Sequence, residues 1–277
     1  VAKLSLEIGK RAEKAYYMEF PGISLSSIEE LCYYICVYAD YMGRDMIGEE
    51  LICWIDKECG LYELSMHLSS LYRQNCSLQS FLGFTLEYVH FCDKDRIALI
   101  ETCIRENQQI KASLLNKKRA DYYVQVKKYH RAFELYYKLI ETNLSGDHQF
   151  LANIYYNLAI VCIRLFYFDL ADDYFLKAYQ LFPDRNTLIA RIKLKRLSEP
   201  QKEFYIEGYL EEELKEQIME VDAFIEQVSE QFVQSREMQV IKDAFDKKKN
   251  LEMAEYYLAV REIVNDLKED YNNQATL

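Results

Sequence analysis

Two alanine pairs share one offset: the step from Ala120 to Ala159 equals the step from Ala132 to Ala171. Concordant offsets of this size mark a repeated supersecondary unit. Such units stack, because one of them cannot bury its apolar face alone. Small residues at the shared positions let paired helices approach closely, while Leu158 and Phe175 fill the wedge between one pair and the next. Composition agrees with helices: half of the 277 residues are hydrophobic, and 8 glycines and 3 prolines leave little room for turn-rich sheets. A chain of this length favours an elongated array or two subdomains over a single core.

The clearest unit is "YYNLAIVCIRLFYFDLADDYFLKAYQLFP", Tyr155 to Pro183. Tyr155, Leu158 and Ala159 form a first block, Ala171, Phe175 and Ala178 a second helix, and Pro183 the exit. This pattern resembles the tetratricopeptide repeat, a helix pair of about 34 residues. Cys162 stands where the family usually has Tyr, and Phe166 where it usually turns on Gly. A preceding copy carries Ala120, Tyr123, Ala132 and Tyr136, with Arg119 in place of the expected Leu. The offset between the copies is longer than the family's unit by an insertion of five, placed in "NLSGD". The resemblance implies an all-α, helical-hairpin solenoid over residues 111–198, with repeats at 113–146 and 152–185 and a partial third from 186. No second helix for that third pair stands out.

Residues 1–110 read as a mostly helical region that resembles bacterial proteins of no assigned activity carrying such repeats. The stretch from Val1 to Phe20 permits a short β-hairpin. Ser26 with Glu29 reads as a capping box opening a helix through "SIEELCYYICVYADYM". Helices are expected at Glu49 to Cys59, closed by Gly60, at Tyr62 to Arg73, at Leu78 to Phe91, and from Asp93 or Asp95 to about Gln108. From Glu199 onward twenty acidic residues face nine basic ones, so this segment holds the whole net charge of −11. Leu214, Ile218, Val221, Ile225, Val228 and Phe232 form a two-in-seven apolar seam, and Met253, Tyr257, Val260, Val264, Leu267 and Tyr271 form another. The expectation for residues 199–277 is an acidic antiparallel helical hairpin capping the solenoid, with an intermolecular coiled coil as the other reading.

The acidic surface excludes nucleic acid and anionic membrane as expected partners. No apolar run approaches the length of a membrane span, about 18 residues or more. No leader pattern opens the chain either, so a cytoplasmic location is expected, and the resemblance to bacterial repeat proteins implies a bacterial source. Eight cysteines without a C-x-x-C read as buried free thiols rather than as disulfides or zinc ligands. Phosphate-loop, dinucleotide-binding, zinc-protease and serine-hydrolase motifs are missing from the sequence, so no enzyme, cofactor or metal is expected. The remaining reading is a non-catalytic scaffold or adaptor, monomer or homodimer, that takes a peptide or partner protein in the groove lined by the first helix of each pair. The groove candidates are Lys117, Asp121, Val124 and Gln125, then Asn153, Tyr156, Asn157, Ile160 and Arg164, then Arg191 and Leu194. One branch of the family grips a terminal carboxylate, and that likeness puts Lys117, Asn157 and Arg191 at matching places. Asp121 and Thr187 depart from its pattern. A second expectation is a regulator whose solenoid changes curvature when a peptide binds.

Overall fold

A computed structural model describes residues 8–142, 147–198 and 214–275. Among them are thirteen α-helices and one two-stranded sheet. The protein is an all-α helical-repeat fold. It divides into two compact units, Val1–Arg119 and Ala120–Leu277.

In the first unit, strand β1 (Tyr16–Met18) pairs antiparallel with β2 (Ile23–Leu25), with Tyr16 opposite Leu25. The hairpin therefore runs on past Phe20, and Leu4 and Leu6 fall outside the described residues. Gly22, at φ 83°, takes the left-handed backbone that the turn needs. Helix α1 (Ile28–Tyr38) is capped by Ser27, whose Oγ accepts from the Glu30 N–H. The Glu30 carboxylate reaches back to the Ser26 N–H at 2.6 Å. The cap thus sits one residue later than the Ser26 and Glu29 pair, because Glu29 turns away to accept the Ile8 N–H at 2.7 Å.

Helices α2 (Glu49–Lys57), α3 (Tyr62–Arg73), α4 (Leu78–Val89) and α5 (Lys94–Gln109) follow with short connections. Ser77 and Asp93 cap the last two by accepting from the backbone N–H of Ser80 and Arg96. Ile28, Cys32 and Ile35 share one face of α1 at helical spacing and meet Leu51, Ile55, Leu64, Leu68, Phe81 and Leu86 in one buried cluster. Helix α6 (Ala112–Gln125) carries Arg119, whose guanidinium takes both Asp45 oxygens at 2.7 and 3.0 Å and the Tyr41 carbonyl at 2.9 Å. This is why a charged residue stands where the repeat pattern expects leucine: apart from Asn116 one turn back on α6, its partners are in the N-terminal region.

In the second unit, α7 (Tyr129–Thr142), α8 (His148–Arg164) and α9 (Phe168–Leu181) stack in order, with α10 (Arg185–Ser198) packed on α9. Ala120, Ala132, Ala159 and Ala171 are all fully buried. Of the "NLSGD" segment expected to hold the insertion, residues 143–146 lie outside the described residues. Asp147 caps α8 by accepting from the Phe150 N–H at 3.0 Å.

Helix α11 (Lys215–Val233) supplies the missing partner of α10: Leu214, Ile218 and Val221 pack against Leu188 and Ile192. Only half of the first C-terminal seam is used this way, and it faces the repeats rather than the second seam. An additional helix, α12 (Arg236–Lys249), pairs with α13 (Met253–Ala275), so the C-terminal hairpin is α12 with α13. Phe245 and Lys248 of α12 both meet the Tyr256 ring.

Among the described residues, five helices end on the same hydrogen-bond pattern without glycine. Asn75, His90, Lys127, Phe166 and Leu251 all have φ between 53° and 65°. In each case that residue's N–H bonds three residues back and the next N–H bonds five back, as for Phe166 to Ile163 and Tyr167 to Cys162. Lys127 and Phe166 fill equivalent turns of the two repeats, separated by the same step as the alanine pairs. Left-handed backbone costs a non-glycine residue about 1–2 kcal/mol. Phe166 is 77% exposed and loses little packing on replacement. Phe166→Gly is therefore expected to stabilise the protein by about 0.5–1 kcal/mol, after the greater chain entropy of glycine is offset. A higher urea midpoint would show it.

Candidate functional site

A concavity lies within the second unit, between the first helices of successive pairs. Helices α8 and α10 form its walls and Phe175 of α9 closes its floor, enclosing about 780 Å3. Tyr156, Ile160 and Ile163 face Ile189, Leu194 and Leu197 across it. Leu197 is 60% exposed at the rim. The Tyr156 ring meets Phe175 edge to face at 5.3 Å, which fixes the orientation of one wall. Burial, and then the nearby charge of Asp184, push the Tyr156 hydroxyl above its ordinary pKa. Tyr156 therefore presents a neutral phenol at physiological pH.

Polar side chains edge the apolar surface, with Asp184, Asn186 and Thr187 grouped at the start of α10. Asp184 accepts from the N–H groups of Asn186 and Thr187 and so caps α10. The Lys193 ammonium lies 4.2 Å from the centre of the Phe224 ring. The groove is thus a mixed trough, with an apolar stretch from Ile160, Ile163, Ile189 and Leu194 and with amide-bearing Gln149 and Asn153 on one side.

Of the residues singled out from the sequence, Asn153, Tyr156, Ile160 and Leu194 line this groove. Asp121 and Asn157 are brought together elsewhere: Asn157 donates to Asp121 Oδ1 and to the Tyr136 hydroxyl oxygen, both at 3.3 Å. Tyr136 donates to Asp121 as well. Burial first, and then the Asp121 carboxylate, raise the Tyr136 hydroxyl far above its ordinary value, so it stays a donor. Val124 is half-buried on α6, Gln125 is exposed there, and Lys117 is a half-buried residue of the first unit. Arg164 is exposed at the end of α8 and does not line the groove.

Arg191 is only 5% exposed, and its guanidinium holds Asp172 through both oxygens, at 2.6 and 3.2 Å. Lys195 joins the same carboxylate at 3.2 Å. Arg191 ties α10 to α9 and is not offered to a ligand, and the Asn157 amide is likewise engaged. Lys117, Asn157 and Arg191 therefore do not present a set of open donors to a carboxylate.

Sequence reasoning leaves Lys193 and Leu197 out of the groove, although their spacing from Ile189 and Ala190 follows one helix face. It centres that face on Arg191 instead. The basic residues of α10 meet the acidic C-terminal segment within the chain, Arg185 with Glu220 at 3.0 Å and Arg196 with Asp222 at 2.8 Å. No described residue beyond Leu197 lines the groove.

Among the described residues, no group of three or more His, Cys, Asp or Glu is placed to hold a metal ion, and no helix is long and apolar enough to cross a membrane. All eight cysteines are free, but only Cys32, Cys59 and Cys162 are buried, and Cys53 is exposed. The exception on α2 follows from its place between Ile52 and Trp54, whose side chains take the buried face. Burial pushes the Cys59 and Cys162 thiols up to about 12, so both act as small apolar groups.

Antiparallel helix pairs stacked in sequence, with a trough along their first helices, define a helical-hairpin repeat protein. Residues 111–184 match the family model described as tetratricopeptide repeat, and the chain contains tetratricopeptide repeats there. No curated protein and no solved structure matches the chain. Repeats of this family generally mediate protein–protein interaction.

Proposed function

We propose that this chain is a non-catalytic scaffold or adaptor that seats a peptide segment of a partner protein in the trough between α8 and α10. The trough itself carries the reading. Its roughly 780 Å3 suits side chains of a bound segment, and its walls combine apolar side chains with a few polar groups that can fix orientation, as recognition pockets do. Tyr156, Ile160 and Leu194 supply the contact surface, and Gln149 and Asn153 supply amides for the peptide backbone. Recognition rests on apolar side chains rather than on a terminal carboxylate, since Arg191 is held by Asp172. Eight free thiols support a reducing compartment such as the cytoplasm.

Selection of linear peptides from a displayed random library against the full chain tests this. Selected peptides are expected to carry spaced apolar residues. Their affinity is expected to fall at least ~10-fold for Ile160→Glu, which sets a charge in the apolar contact. Unchanged affinity for that variant would overturn the reading.

A further inference from the structure

Helix α11 carries one apolar seam with two fates. Its first half, Leu214, Ile218 and Val221, is covered by α10. Its second half continues the same spacing through Ile225, Val228 and Phe232, which are 37%, 43% and 51% exposed. An apolar row that returns every three or four residues matches the side-chain knobs of another helix.

The covered half shows which helix the seam accepts. Helix α10 is basic and amphipathic: it packs Leu188 and Ile192 into the seam and pairs Arg196 with Asp222 at the seam's edge. Glu226 and Glu230 follow Asp222 at successive spacings of four along that edge, so they lie one and two turns further on. Both are exposed and make no salt bridge among the described residues. The outer half thus repeats the geometry and charge of the inner half, without its α10.

We propose that the outer half of α11 docks a basic amphipathic helix from a partner protein, with apolar residues on Ile225, Val228 and Phe232 and bases on Glu226 and Glu230. A second copy of α11 is the wrong chemistry, because that helix has Lys215 as its one base against five acids. This surface is separate from the α8 and α10 trough.

A peptide copying residues 185–198, labelled and titrated into the full chain by fluorescence anisotropy, tests the proposal. It is expected to bind, and to bind at least ~10-fold more weakly to Val228→Glu. Reversing Glu226→Lys together with Glu230→Lys is expected to weaken this peptide similarly and to favour a control peptide whose bases are replaced by glutamate. All three positions are exposed, so helix content by circular dichroism should not change. The proposal is overturned if the peptide does not bind, if binding ignores these substitutions, or if the full chain sediments as a dimer that Val228→Glu dissociates. The last result would make the stripe a self-association surface.

Discussion

Arg191→Ala is expected to destabilise the protein by about 3 kcal/mol, read as a lower urea midpoint by far-ultraviolet circular dichroism. The Arg191 and Asp172 side chains are 6% and 18% exposed, so removing the guanidinium leaves a largely desolvated carboxylate with Lys195 as its remaining partner. The cost arises from the stranded charge. Replacing both residues, Arg191→Met with Asp172→Leu, is therefore expected to recover most of the loss. A double variant as unstable as the single one would contradict this account.

The same pair sets a pH dependence. Burial alone would raise the Asp172 carboxyl, but the Arg191 hydrogen bonds and charge, with Lys195, more than offset it and hold it below the usual carboxylate range. A carboxyl lowered in the folded state adds stability above its unfolded value of about 4 and loses it as pH falls through the folded value. Acid unfolding of the native protein should therefore involve Asp172 only below about pH 4. In Arg191→Ala the largest lowering influence is gone, and the acid midpoint is expected to move to higher pH. An unmoved midpoint would show that other carboxylates control acid unfolding.

Phe175→Ala has the second large expected effect, a loss of about 3–5 kcal/mol. Its ring is fully buried between the helices of the repeat and meets Tyr156 edge to face. Deleting it opens a cavity in a close-packed interior whose neighbours relax only partly. Phe175 also closes the groove floor. Peptide affinity is expected to fall with stability, whereas in Ile160→Glu affinity falls with stability largely kept. Comparing the two variants separates damage to the scaffold from damage to the contact surface.

The repeats are legible in the sequence because their cause is local. Close helix pairing demands small residues at fixed spacing, and Ala120, Ala132, Ala159 and Ala171 display it in one dimension. The position of the first cap is less legible, since Ser26 and Ser27 precede Glu29 and Glu30 and only the distant Ile8 N–H decides between them. The role of Arg191 is hidden for the same reason: its partner Asp172 lies upstream on another helix, and no periodicity reports such a pair. Helix α11 can be read as a helix, but its partner cannot. Its seam looks alike along its whole length, and only the fold shows that α10 covers the first half. The trough is partly legible, through Tyr156 and Ile160 on a helix whose face the repeat pattern fixes.

Repeat arrays grow and shrink by copying units, which works when every junction is interchangeable. Here the junctions are particular. Asp121, Tyr136 and Asn157 join one repeat to the next through a polar clasp that needs all three residue types. Asp172 and Arg191 join that repeat to its successor through an ion pair of different chemistry. A duplicate of residues 152–185 inserted beside the original would set Asp172 of one copy against the asparagine face of the other, without an arginine. Each of these two junctions is thereby particular to the units it joins, and a copied unit would exchange the Arg191 ion pair for a neutral amide contact.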